Sequence, residues 1–137
     1  MADTVRRVQY FYVEVTDRPG EGAKLFEKLK EAKVNLLSFT AFPVGAGKAQ
    51  IDLVPVDPNA FLEAAKRLAL KYSPSKEAFL LQGGDRVGLV ADVLGKLAAA
   101  KINVTAANAC AAPGGTFGMI LWVKPADLAA AGKALGA

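Results

Sequence analysis

The chain has 137 residues, of which 53% are hydrophobic and 22% charged, with a formal net charge of +4. That balance reads as globular, either one ordinary domain or two small ones. No apolar run approaches the roughly 18 residues of a membrane span, so no membrane partner is expected. Asp3, Arg6 and Arg7 do not suit a signal peptide, and a single cysteine, which excludes an internal disulfide, suits a reducing, cytoplasmic setting.

In chain order, Val8 to Thr16 alternates as a strand, with Phe11, Val13 and Val15 on one face and Tyr10, Tyr12 and Glu14 on the other. Asp17 then reads as a helix N-cap, with Pro19 in the first turn. Gly22, Leu25, Phe26, Leu29 and Ala32 follow as one helical stripe, and Asn35 closes the helix. Lys24, Lys28, Lys30 and Lys33 alternate with Glu21, Glu27 and Glu31, which marks a solvated helix face rather than a nucleic-acid patch. Leu36 to Phe42 and Ala49 to Val56 form a hairpin around Gly45 and Gly47, and Asp57-Pro58-Asn59 opens a second helix.

The order then repeats. Glu77 to Gln82 is a strand, and Gly83-Gly84-Asp85 a turn. Leu89, Val90, Val93, Leu94 and Leu97 make a helical stripe. Val104 to Cys110 and Phe117 to Val123 are strands around Pro113-Gly114-Gly115, and Ala126 to Leu135 is an Ala-rich final helix. A shift of 68 residues superposes Asp17 on Asp85, Arg18 on Arg86, Gly20 on Gly88 and Asn35 on Asn103. The chain is therefore an internal duplication, divided as 1–73 and 74–137. Each copy reads β-α-β-β-α. Short connections and right-handed crossovers make this an α+β fold of two ferredoxin-like repeats, an antiparallel sheet with helices on one face. The fourth strand of each repeat is abbreviated or supplied by its neighbour. Because modules this small bury little surface, the copies are expected side by side in one continuous sheet.

Thr16-Asp17-Arg18-Pro19-Gly20 before a Leu/Phe helix, then Ala32-Lys33-Val34-Asn35-Leu36, resembles the ACT domain, and Gly84-Asp85-Arg86-Val87-Gly88 with Ala100-Lys101-Ile102-Asn103-Val104 repeats the pattern. The likeness spans nearly the whole chain; Val87 in place of Pro19 is a departure. ACT domains are small regulatory modules, attached to amino-acid-metabolism enzymes or free-standing. The resemblance implies a small-molecule ligand, usually an amino acid, bound between paired repeats. It also implies an enzyme or transporter as the regulated partner, and no cofactor or metal. The site residues it implies are Asp17, Arg18, Pro19, Gly20 and Asn35, with Asp85, Arg86, Val87, Gly88 and Asn103.

Physical chemistry supports part of this. Unpaired N–H groups and the dipole at a helix N-terminus suit a carboxylate, a glycine admits close approach, and an asparagine offers both donor and acceptor. The same residues also serve as cap, packing glycine and helix stop. Within one copy the turn and the asparagine are about 20 Å apart at 1.5 Å per helical residue, so a ligand needs the turn of one copy and the asparagine of another, within a chain or between chains.

Catalysis is not expected. The chain has no histidine, and Cys110 reads as a buried, inert thiol in an apolar strand. RNA recognition shares the topology, but the third strands lack an aromatic and basic platform, and no nucleic-acid partner is expected. A ligand-free interaction module stays open. Tyr10, Tyr12 and Trp122 would form an apolar patch on the open sheet face, for which a homodimer is the expected cover.

Overall fold

The computed structural model describes residues 3–137. Their order is β1 (Thr4–Thr16), α1 (Glu21–Glu31), β2 (Leu36–Gly45), β3 (Lys48–Pro55), α2 (Pro58–Arg67), β4 (Lys76–Gly84), α3 (Leu89–Ala99), β5 (Ala106–Ala112), β6 (Thr116–Trp122), a 3₁₀ turn (Pro125–Asp127) and α4 (Leu128–Leu135). Two compact units divide the chain. The first is Gln9–Lys76; the second joins the described residues up to Val8 to Glu77–Ala137.

The first unit has strand order β2-β3-β1, with both pairs antiparallel. Phe11 and Val13 of β1 and Ile51 and Leu53 of β3 share a face and pack with Leu25 and Leu29 of α1 and Phe61 and Ala65 of α2. Period-two alternation in the strands thus meets a helical stripe from both helices. Phe11 stacks on Phe61 at a centroid distance of 4.8 Å.

The second unit repeats the plan. Phe79 and Leu81 of β4 and Met119 and Leu121 of β6 pack with Leu89, Val93 and Leu97 of α3 and Ala131 and Leu135 of α4. Of the expected α3 stripe, Val90 and Leu94 stay 38% exposed.

The duplication extends to hydrogen-bond register. Phe11 pairs with Leu53 and Phe79 with Leu121, and the next five pairs of each ladder also keep the 68-residue shift. The hairpins agree too, with Ser38 against Val54 and Ala106 against Trp122. One residue of slip would turn every side chain to the other face, so this agreement is strongly specified.

Several local expectations are corrected. The first strand begins at Thr4 rather than Val8. Its N-terminal part lies alongside β4, with the Thr4 hydroxyl donating to the Gln82 carbonyl at 3.3 Å and Arg7 3.8 Å from Glu77. The second unit thereby gains the fourth strand that its sequence lacks after α4. In the first unit that place beside β1 falls to the segment after α2, where the Ser73 amide donates to the Tyr12 carbonyl and the Tyr12 amide to Ser73 Oγ, each at 2.9 Å. Arg6-Arg7 interrupts the apolar alternation and hides this extension. Arg7 is instead held by the Leu128 carbonyl, to which it donates at 3.1 Å, and by the Phe79 ring, 6.0 Å away.

Asparagine does not stop the helices. Lys33 and Lys101 take the left-handed position, both at φ 59°. The Val34 amide reaches back to the Leu29 carbonyl at 2.9 Å, as does Ile102 to Leu97, which is a Schellman closure in both units. Trp122 is only 7% exposed and both tyrosines are half-buried, so these rings are not the open apolar patch expected of them. Cys110 is exposed on β5, not buried. Ala106–Ala112 has a neighbour on one side only, which leaves all seven residues open.

Candidate functional site

The expected site residues form the turns after β1 and β4. Asp17 caps nothing with its side chain; its backbone amide donates to the Gly47 carbonyl at 2.9 Å, which ties the turn to the β2–β3 hairpin. Asp85 does the same to Gly115 at 2.8 Å. The N-caps are Gly20 and Gly88, with φ 91° and 85°, and neither helix start has a side-chain cap. This conformation favours glycine, since a Cβ in the left-handed region is strained. Pro19 lies before the cap rather than in the first turn. The helices' first return bonds run from Lys24 to Gly20 and from Asp92 to Gly88, both at 3.0 Å. Each turn therefore ends in a helix start whose amides no side chain covers, where the dipole favours a negative group.

The arginines of the two turns have different partners. Arg18 Nε donates to Glu21 Oε1 at 2.9 Å, and that bond, ahead of Lys24, holds the Glu21 carboxyl below its ordinary value. Leu89 stands where Glu21 does in the first repeat, so Arg86 reaches Asp92 instead, with Nη2 2.6 Å from Oδ2. Val87 is fully exposed.

Asn35 and Asn103 are exposed and lie away from the turns of their own units. The Asn35 carbonyl accepts from Val56 at 2.9 Å, at the opposite end of β2 and β3 from the bond between Asp17 and Gly47. Asn103 also precedes its hairpin, where the Thr105 amide donates to the Trp122 carbonyl at 2.8 Å, at the opposite end from the bond between Asp85 and Gly115. Each unit thus gathers Asp17 to Gly20, or Asp85 to Gly88, and leaves its asparagine out of reach.

Two features escaped the sequence pattern. Asp52 of β3 is 7% exposed between Thr40 and Tyr12 of the neighbouring strands. Burial pushes its carboxyl above the ordinary value, opposed by the Gln50 amide, which donates at 2.8 Å, and by Lys76. Burial, then Asp52, also raises the Tyr10 hydroxyl. The second feature is an open pocket of about 80 Å³ in the second unit, bounded by β1, β4, α3 and Leu135 of α4. The signal for it was a mismatch between copies: Gly83 falls where the first repeat has Val15. Among the described residues, no three His, Cys, Asp or Glu side chains could hold a metal ion, and no helix is long and apolar enough to cross a membrane.

No protein-family model matches the chain, and no curated protein matches it in sequence. Solved structures do match. Protein BT0572 from Bacteroides thetaiotaomicron gives a TM-score of 0.77 at 15% identity, covering 94% of this chain and 88% of that one. The regulatory subunit of aspartate kinase from Thermus thermophilus, in its ligand-free form, gives 0.62 at 15% identity over 98% and 94%. The corresponding subunit from Thermus flavus gives 0.58 at 18% identity, again over 98% and 94%. At these identities the likeness is one of fold: the chain folds as the regulatory subunits of aspartate kinase do.

Proposed function

We infer that the chain is a tandem pair of ACT-like repeats that binds an amino acid and regulates an enzyme or transporter, with no catalysis of its own. One observation carries the reading. The same uncapped helix start, closed by a left-handed glycine and tied to the hairpin by an aspartate amide, occurs in both units at a 68-residue shift. A carboxylate is the group such a start receives best. The fold shared with regulatory subunits of aspartate kinase supports the regulatory part.

The other half of each site has to come from elsewhere, because Asn35 and Asn103 stand at the far ends of their own hairpins. β2 and β5 each have a neighbour on one side only, and β2 exposes Phe39, Phe42 and Val44. Such edges invite pairing. Antiparallel pairing of β2 with β5 of the partner subunit would bring Asp17 to Gly20 against the partner's Asn103, and Asp85 to Gly88 against the partner's Asn35. A ligand there bridges two chains. Its preference for one arrangement of the pair would shift that arrangement's population, which is the signal.

A thermal-shift screen against the twenty common amino acids tests this. An amino acid at about 100 times its Kd should add roughly 2.7 kcal/mol of stability. A flat screen at millimolar concentrations would overturn the reading.

A further inference from the structure

The pocket lies wholly within the second unit and includes none of the asparagines. Leu81, Leu89, Val93 and Phe117 make it apolar. Charge sits at its edge. Leu89, Asp92, Val93 and Lys96 follow at i, i+3, i+4 and i+7, so one face of α3 brings two apolar and two charged side chains to the same opening. Arg86 is there as well, paired with Asp92, while Lys96 makes no ion pair among the described residues.

The N-terminal segment completes the wall and is fixed in place. Asp3 Oδ1 accepts from the Gly84 amide at 3.3 Å, and a Cβ on Gly83 would come within 2.9 Å of the Asp3 Cα. Glycine at 83 is therefore what lets the strand from Asp3 close this side. The fold alone does not dictate the pocket. At the equivalent positions the first repeat has Val15 for Gly83, Glu21 for Leu89, Lys24 for Asp92 and Ala49 for Phe117. Arg86 and Lys96 keep their kind, as Arg18 and Lys28, and Leu81 and Val93 stay aliphatic, as Val13 and Leu25.

Size and chemistry narrow the occupant. At about 10–15 Å³ for each water-sized site, 80 Å³ holds some six waters, the bulk of a small organic molecule. An apolar interior rejects a second charged end, while cations and carboxylates at the rim match a zwitterion.

We propose that this pocket is a second ligand site, for an α-amino acid with a small branched apolar side chain. The side chain enters among Leu81, Leu89 and Val93, the carboxylate meets Lys96 beside Arg86, and the ammonium group faces Asp92. This rests on the reading of the chain as an amino-acid-binding protein, and it adds a site of different selectivity within one unit.

The test is calorimetric titration of the full chain with L-valine, L-leucine and L-aspartate, repeated on Lys96→Met and Leu89→Glu. Leu89→Glu installs the first repeat's residue. Valine or leucine should bind the wild type. Lys96→Met should weaken that binding about tenfold by removing one charged contact, with the ligand-free Tm unchanged. Leu89→Glu should abolish it. If valine or leucine binds equally well to both variants, or if only aspartate binds, the pocket is wrong and the amino-acid reading stands. If none of the twenty amino acids binds the wild type, that reading falls and the pocket with it.

Discussion

Gly20 and Gly88 are the residues on which both turns depend. Both are left-handed, and a Cβ on either would meet nothing within 4 Å. Substitution by alanine therefore costs backbone strain alone, about 1 kcal/mol at each site, read from urea unfolding midpoints. A cost near zero would mean that the turn relaxes freely and is not preformed. Asp52 gives a pH signature. Its folded carboxyl is raised above the ordinary value of 3.8, so the folded state holds that proton more tightly than the unfolded state does. The contribution is complete below the unfolded value and is lost as the pH rises through the folded one. Asp52→Asn, which mimics the protonated form, should match the wild type near pH 3 and become progressively more stable than it toward about pH 7, followed as Tm. Parallel Tm curves for the two proteins would remove burial as the dominant effect at Asp52.

Among the elements, β1 serves both units, and the part that the sequence pattern missed closes β4. Deleting the residues through Arg7 should strip the Thr4, Arg7 and Asp3 contacts from the second unit and open the β4 edge. Hydrogen exchange should then quicken at the β4 amides that face it, while Phe11 to Val15 stay protected through β3. Unchanged exchange in β4 would show that the strand is not structural. The strands and helices themselves were legible because alternation and helical stripes follow directly from which face is buried, as at Phe11, Val13, Leu25 and Leu29. Their ends were not. Arg7 satisfies its charge on a helix-end carbonyl and a ring, which no hydropathy pattern registers, and Lys33 and Lys101 enter the left-handed region because the Schellman bonds repay it. Cys110 and Trp122 failed for a related reason: exposure depends on which strands have neighbours, and strand order is not written locally.

For the whole molecule, the 68-residue shift was legible in Asp17, Gly20 and Asn35 and holds down to strand register. The turns were legible as candidate sites by the same repetition. The pocket at Gly83 was not, since it arises where the copies disagree. The unpaired β2 edge carries Phe39, Phe42 and Val44, so light scattering at high micromolar concentration should give twice the chain mass of 14.3 kDa. The bridging site, in which a turn and a distant asparagine from a partner subunit hold one ligand, is tested most directly by calorimetry. The amino acid that stabilises the wild type most would be titrated into the wild type and into Asn103→Ala and Asn35→Ala. Loss of one asparagine should weaken one of two sites by about 1.5 kcal/mol, roughly tenfold, with folding intact. Unchanged affinity at both sites in the two variants would contradict the account.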